Sequence, residues 1–418
     1  MAACCVGRVA AEKYRLMNNL KRKKILAISY LFPNSTQPNH GIFVFNRLKA
    51  MSKYADITVI NPIPNSPVHG KIDKFKPLKQ VAYLANMKGL DVYHPRYFSI
   101  PGHLKSIEVL SYRLAVLSVL KEIGTDFDVI DLHWTFPDLP TGSYLSKKLN
   151  IPFNVTLRGM EAFHLQDSGL RKHIVAHYLK KVSKVISLSE EMAIKANEIS
   201  QTRSKTTVIR NGVDTDKFYY INPISCREKL GLPLDEKIIL GVGALIYRKG
   251  FDLIIKALEN LLIQDGLANT KFYILGAEGP EGDYRTELSN FIDKHQLQEN
   301  VIFVGAVDNE DLISWYNAAD VFCLSSRGEG SPNVLTEALA CGTPAVAANV
   351  GSVPEIMVSE ENLGICVENE NIGEFISALQ KVLLNPYDRK LSANKFSKYT
   401  WDWCAQKVME VINAKTLN

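Results

Sequence analysis

RGEGSPNVLTEALACGTPAVA (residues 327–347) carries two carboxylates, Glu329 and Glu337, eight positions apart. The first lies in a turn rich in Gly, Ser and Pro. The second lies one to two turns inside a helix, because Val334, Leu335, Ala338 and Leu339 follow helical apolar spacing. Pro332 suits the first turn, where the amide it lacks has no partner to lose. Glu329 is therefore expected in the loop before a helix, and Glu337 off that helix near its N-terminal end. The segment 331 to 334 (Ser331, Pro332, Asn333, Val334), with its free amides, lies between them. Free N–H groups and the positive end of the helix dipole make an anion cradle. A carboxylate on either side can accept hydrogen bonds from sugar hydroxyls, Glu337 from a ribose and Glu329 from a hexose. The layout suits a nucleotide-diphosphate sugar; a surface helix with two solvated glutamates is the alternative for this stretch alone.

Outward from this stretch, strands alternate with helices. KIILGVGAL (237–245), KFYILGA (271–277), VIFVG (301–305), VFCLSS (321–326), TPAVAAN (343–349) and LGICVE (363–368) read as strands. The same alternation precedes them: KILAISY (24–30), ADITVINP (55–62), FDVIDLH (127–133), FNVTLRG (153–159), KVISLS (184–189) and TTVIRNG (206–212). Residues 81–98 are less regular. Such alternation argues for parallel sheets. The expected fold is α/β, with two facing doubly wound Rossmann-like domains joined near Asn211 to Asp216. Ligands of these sheets bind beyond the carboxyl ends of the strands, so the cleft between the domains is the expected site. The expected layout is an N-terminal extension over 1–22, a first domain over 23–213, a second over 214–395, and a segment over 396–418 holding the helix TWDWCAQKVMEVINA (400–414).

Composition narrows the class. No apolar run reaches the roughly 18 residues of a membrane span. The first 24 residues lack a signal-peptide core; Cys4 and Cys5 there read as part of an unstructured extension, with lipidation the alternative. Seven scattered cysteines without metal spacing fit a reduced, cytoplasmic protein. Residues 1–213 hold 31 Lys+Arg against 15 Asp+Glu, a net +16, whereas residues 214–418 hold 18 against 29, a net −11. The first half is thus the candidate for an anionic surface, with no sign of nucleic-acid binding. RKHIVAHYLKKVSK (171–184) sets Ile174, Val175, Tyr178, Leu179 and Val182 on one helical side and Lys/Arg on the other, either a face for an anionic membrane or a helix packed on its own sheet. Gly241-Val-Gly243 lacks a third glycine at 246, so the dinucleotide fingerprint is incomplete. Asp126-Phe-Asp128 and Asp214-Thr-Asp216 have an Asp-x-Asp spacing and read as structural, with no metal expected.

The paired glutamates resemble the motif of the retaining glycosyltransferases of family 4 (glycosyl transferases group 1), and the resemblance covers roughly residues 24 to 410, closest to bacterial polysaccharide-biosynthesis members. It implies the two-domain GT-B architecture, with a C-terminal helix that crosses back to the first domain. The segment from Ala244 to Asp252 looks like the family's strand-end segment, where an Arg and a Lys hold the donor diphosphate. Lys249 matches; the Arg position holds Ala244, and Arg248 is expected to supply the charge. His133 matches a histidine at a strand end near the reacting sugar and acceptor. Gly41 matches a glycine loop that approaches the diphosphate, and Gly305 and Val307 match a strand end that holds the base by backbone contacts. Arg158-Gly159-Met160-Glu161 stands where the family has His-Gly-x-Asp, and Gly351 to Glu355 matches a structural element.

The function implied is a metal-independent, retaining glycosyltransferase with His133, Glu329, Lys249 and Arg248 at the chemistry and no cofactor. Its donor is expected to be a UDP-sugar, with a GDP-sugar second, and its acceptor a glycan or lipid-linked hydroxyl at the inner face of the cell membrane. A sugar-nucleotide epimerase of the same fold and a non-catalytic nucleotide-sugar-binding protein are the alternatives; nothing marks the pyridoxal phosphate lysine of a glycan phosphorylase.

Overall fold

The computed structural model describes residues 22–65, 73–100, 105–159, 170–279, 282–308, 310–385 and 387–414. Most of the N-terminal extension, with Cys4 and Cys5, lies outside them, as does Glu161. The chain divides into two compact units. One runs to Ser187 and adds Lys195–Thr207 and the chain from Ala405; the other holds Leu188–Ile194 and Val208–Cys404.

In the first unit the elements follow in order β1 (Lys23–Ile28), α1 (Ile42–Met51), β2 (Ala55–Ile60), β3 (Ile63–Asn65), β4 (Leu84–Met87), β5 (Leu90–Tyr93), β6 (Arg96–Phe98), α2 (Lys105–Ile123), β7 (Val129–Leu132), α3 (Asp138–Leu149), β8 (Phe153–Leu157), α4 (Leu170–Leu179), β9 (Lys184–Ser187), α5 (Glu190–Ser200, of which the part to Ile194 counts with the second unit) and β10 (Thr206–Val208). The main sheet has the order β10-β9-β8-β7-β1-β2-β5-β4. From β9 to β5 its neighbours are parallel. β7 and β8 are buried along their whole length even though Asp131, Asn154 and Thr156 interrupt their apolar residues.

The region that looked irregular in sequence contains an antiparallel hairpin, β4 against β5. Its two-residue turn places Lys88 at φ 50° and Gly89 at φ 88°, as a type I′ turn requires. Lysine in the first position hides a signal that Asn-Gly or Asp-Gly would announce. α4 ends at Leu179, short of the helical stretch expected over 171–184, and its apolar side faces inward: Val175 and Leu179, with Val182 beyond the helix end, are buried.

The second unit holds α6 (Pro223–Leu230), β11 (Lys237–Val242), α7 (Phe251–Leu261), β12 (Thr270–Leu275), α8 (Arg285–Lys294), β13 (Val301–Gly305), α9 (Leu312–Ala318), β14 (Val321–Leu324), α10 (Asn333–Ala340), β15 (Ala345–Ala348), α11 (Val353–Met357), β16 (Gly364–Val367), α12 (Ile372–Leu384) and α13 (Arg389–Phe396); the last helix, α14 (Trp401–Asn413), begins in it and belongs to the first unit from Ala405. Its sheet, β13-β12-β11-β14-β15-β16, is parallel throughout. Ile238 to Leu240, Val321 to Leu324 and Ala345 to Ala348 are all buried in its core. Strand order reverses between β11 and β14, and in the first unit between β1 and β7. A parallel sheet opens a crevice at such a switch point, because the helices on its two sides leave to opposite faces.

Candidate functional site

The switch point of the second unit is where the charged residues gather. β11 runs out through Gly243 into a short 3₁₀ turn, Tyr247–Lys249, and Gly250 at φ 65° then opens α7. A Cβ on Gly250 would collide with the Ser325 carbonyl, so only glycine lets this connection press against the end of β14. Ser325 Oγ donates to Lys249 O at 3.1 Å, and Arg327 N–H donates to Arg248 O at 2.8 Å. The two connections are sewn together along their backbones.

This apposition brings Lys249 Nζ to 2.6 Å from Glu329 Oε1. Arg248 Nη1 lies 3.7 Å from Glu329 Oε2 and donates to Gly328 O at 3.1 Å. The Glu329 side chain is 11% exposed. Burial pushes its carboxyl pKa up, but Lys249 and Arg248 outweigh that and hold it below the usual range. From the other side Ser352 N–H donates to Gly330 O at 2.9 Å. Gly351, at φ 56°, has no room for a Cβ against the carbonyls of Glu329 and Gly330.

Beyond this loop Pro332 (φ −73°, ψ 105°) caps α10 rather than opening its first turn, which corrects the cradle expected over 331 to 334. Proline has no N–H, so Ser331, Asn333 and Val334 are its donors. The first amide to bond back is that of Leu335, to Pro332 O at 3.2 Å, which leaves those of Asn333 and Val334 at the helix mouth. Ser331 Oγ is enclosed without a hydrogen-bond partner, an arrangement that a bound acceptor would relieve. Asn333 Oδ1 accepts from Asn211 Nδ2 at 3.1 Å.

Glu337 does not stand free on its helix. Tyr316 OH donates to its Oε2 at 2.9 Å, and burial raises its pKa, an effect this hydrogen bond opposes. At the end of β13, Gly305 adopts φ 89° with open space where a Cβ would stand, and its carbonyl accepts from Gly276 N–H at 2.8 Å. Val307 packs half-buried against the core.

In the first unit His133 follows β7 at the switch point, with no exposure at all. Arg158 Nη2 lies 2.8 Å from its Nδ1; a guanidinium only donates, so Nδ1 accepts and the ring proton sits on Nε2. Nε2 is 3.2 Å from Asp131 Oδ2, close but misaligned for a hydrogen bond. Burial pushes the imidazole pKa down by more than Asp131 raises it, so the ring is neutral. The residue is thus a packed, clasped histidine, reached only through movement of its neighbours. Gly41, at φ 70°, caps α1, and a Cβ there would stand 2.7 Å from the Leu31 carbonyl carbon.

The Asp-x-Asp pairs have local partners. Lys24 N–H donates to Asp128 at 2.7 Å and its ammonium pairs with Asp126; Asp214 accepts from Asp216 N–H at 3.2 Å. Among the described residues no group of three or more His, Cys, Asp or Glu could hold a metal ion. None of their helices is long and apolar enough to cross a membrane. Sequence reasoning missed Tyr316 and Arg327. Tyr316 is a fully buried aromatic in an apolar helix, indistinguishable by pattern from core. Arg327 stood in the quoted stretch but resembled any loop charge.

Comparison with known proteins places this geometry. The family model described as Glycosyl transferases group 1 matches residues 225–402, and that of Glycosyltransferase Family 4 matches residues 29–217. The chain is 28% identical over 357 residues, 81% of its length and 84% of the other, to the putative teichuronic acid biosynthesis glycosyltransferase TuaC of Bacillus subtilis (strain 168). In structure it resembles the sucrose-phosphate synthase of Thermosynechococcus elongatus, with TM-score 0.72, 20% identity, and 94% of this chain and 98% of that one covered. It also resembles Anabaena Alr3699/HepE in complex with UDP and glucose, with TM-score 0.69, 19% identity, and 94% and 100% covered. These likenesses establish the GT-B fold, an α/β architecture of two parallel-sheet Rossmann-like domains.

Proposed function

We propose that the chain is a group 1 glycosyltransferase, a reading supported by the two family models that match its two halves, and that it moves a hexose from a nucleotide-diphosphate sugar to an acceptor hydroxyl with retention at the anomeric carbon and without a metal. One observation carries the reading: Lys249, Arg248 and Glu329 converge at the switch point of the second sheet. Beside them lies a helix mouth with the unpartnered hydroxyl of Ser331.

In this reading the diphosphate takes Lys249, Arg248, Ser331 and the amides of Asn333 and Val334. Its negative charge competes with Glu329 for the two cations. Glu329, released, accepts from a hydroxyl of the transferred sugar. Glu337 takes the ribose, exchanging its bond from Tyr316 for one from a ribose hydroxyl, and Gly305 and Val307 border the base. As the glycosyl bond breaks, charge grows on the leaving diphosphate, and cations already fixed beside it stabilise that state without reorganising. The departing phosphate oxygen takes the acceptor proton on the same face. No cofactor is used.

The donor proposed is a UDP-sugar, with a GDP-sugar second. UDP occupies the Anabaena structure of the same fold, which supports trying it first. The acceptor is a glycan or lipid-linked hydroxyl in polysaccharide or glycolipid synthesis, reached at the cytoplasmic face of an anionic membrane. Of the two readings of residues 171–184, the helix packed on its own sheet is favoured, since Val175, Leu179 and Val182 of its apolar side are buried. α2 instead presents Ile107, Leu110 and Leu114, 47%, 54% and 57% exposed. Arg113 of α2 stacks on Tyr144 of α3 at 4.4 Å, and Lys147 and Lys148 stand exposed at the end of α3. The net +16 of the first half supports an anionic partner for this face.

Thermal-shift screening with uridine, guanosine and adenosine diphosphate sugars tests the donor, since a ligand of the native state raises the melting temperature in proportion to its affinity. Product anomers followed by proton NMR test retention. Donor turnover without acceptor would favour the epimerase instead.

A further inference from the structure

Arg327 is the first residue of the loop that carries Glu329, and its guanidinium reaches three separate segments. Nη1 and Nη2 donate to the two oxygens of Asp252, each at 2.9 Å. Nη1 also donates to Tyr247 O at 2.7 Å, and Nε to Glu370 Oε1 at 2.7 Å. The guanidinium carbon lies 3.9 Å from the centre of the Tyr247 ring. Asp252 belongs to the first turn of α7 and is 5% exposed. Tyr247 opens the turn that ends in Lys249, and Glu370 follows β16.

We propose that Arg327 is a positioning residue for donor binding, a strut that holds the Arg248–Lys249 turn and the Glu329 loop at the separation the diphosphate needs. This rests on the donor reading above and extends it to a residue that touches no substrate. Only a planar fork with donors on both edges can grip a carboxylate in bidentate fashion while bonding a carbonyl and a second carboxylate. Each partner fixes one element: Asp252 the start of α7, the Tyr247 carbonyl the turn, Glu370 the exit of β16. Without the fork the connections keep the Arg327 N–H bond to Arg248 O and the bonds from Ser325 Oγ and Arg248 Nη1, but the 2.6 Å contact of Lys249 with Glu329 loses its lateral support. Arg327→Lys keeps the charge but reaches one partner at a time.

The test reads Glu329 directly in the ligand-free protein. Carbon-13 carboxyl NMR follows its titration, assigned by the signal lost in Glu329→Gln. In Arg327→Lys the titration is expected to move up toward the ordinary carboxylate range, because Lys249 no longer stays in register. Asp252→Asn removes the opposite half of the strut and moves it the same way. Glu370→Gln, at the exposed flank, moves it less and keeps the test open if the first two fold poorly. A loss of stability that leaves the pair in register does not move this signal. An unchanged Glu329 titration in folded variants overturns the proposal.

Calorimetry with UDP supplies the second arm. Arg327→Lys is expected to weaken binding about tenfold or more, roughly what one lost charged contact is worth. In a Lys249→Met background the same change is expected to cost nothing further, since it acts through that lysine; additive losses contradict the strut. If Glu329 moves while the wild type binds no nucleotide diphosphate, the strut stands and the donor reading falls.

Discussion

Lys249 Nζ and Glu329 Oε1 stand 2.6 Å apart, the two residues coming from the connections that follow adjacent strands, β11 and β14. The pair neutralises itself, so in the proposed reading the donor's diphosphate enters by exchange rather than into an open cationic hole. Lys249→Ala is therefore expected to lower turnover roughly 10²–10³-fold, the usual consequence of removing a charge contact to the transition state. The loss in turnover should exceed the loss in stability, which follows from leaving the buried Glu329 with Arg248 alone. Steady-state rates beside a melting curve check this; near-normal turnover in a folded variant would move the clamp elsewhere.

Acid should loosen the same region. Burial pushes the carboxyls of Glu329 and Asp252 up, yet neighbouring cations hold both below their ordinary range. Each then contributes stability that is complete above the unfolded value of about 4 and lost as pH falls through the depressed folded value. Glu337, whose pKa burial raises, works in the opposite direction. Denaturation measured from about pH 6 downward should show a fall in stability below about pH 4 that is shallower in Asp252→Asn. Parallel curves for variant and wild type would contradict the assignment.

Gly351 bears on Glu329 from the far side. Alanine there must adopt φ 56° and push against the carbonyls of Glu329 and Gly330. The left-handed conformation alone costs about 1–2 kcal/mol. Gly351→Ala is expected to lower stability by at least that much and to weaken nucleotide-diphosphate binding as well. A melting shift with unaltered affinity would show that the loop relaxes without moving Glu329.

The exposed stripe on α2 makes a surface prediction. Leu110→Ser with Leu114→Ser should reduce sedimentation with phosphatidylglycerol vesicles while leaving the melting temperature nearly unchanged, because both side chains are already more than half exposed. Equal partitioning of the wild type onto neutral and anionic vesicles would sink the membrane contact.

What the sequence revealed and what it hid follow a physical divide. Both sheets were legible because buried parallel strands read as largely apolar runs at regular spacing. Glu329, Glu337 and Lys249 stood out because charged residues beside Gly or Pro mark the ends of such strands and the starts of helices. Arg327 did not, since Asp252 and Glu370 lie 75 and 43 positions away and no local pattern joins them. His133 was legible as a strand-end residue, but its enclosure by Arg158 and Asp131 depends on side-chain packing that spacing does not encode. The β4–β5 hairpin escaped for a smaller reason: a lysine fills a turn position where asparagine is the recognisable choice.

The division of labour between the two glutamates is the central claim, and titration calorimetry with UDP and UDP-glucose tests it most directly. Glu337→Ala is expected to weaken both ligands by about one to two decades, the worth of a charged hydrogen bond of roughly 1.5–3 kcal/mol. Glu329→Ala should leave UDP affinity at or above that of the wild type, since it frees Lys249 and Arg248, while transfer of the sugar collapses. If both variants bind UDP as the wild type does and still transfer sugar, the donor does not lie on this pair and the account is wrong.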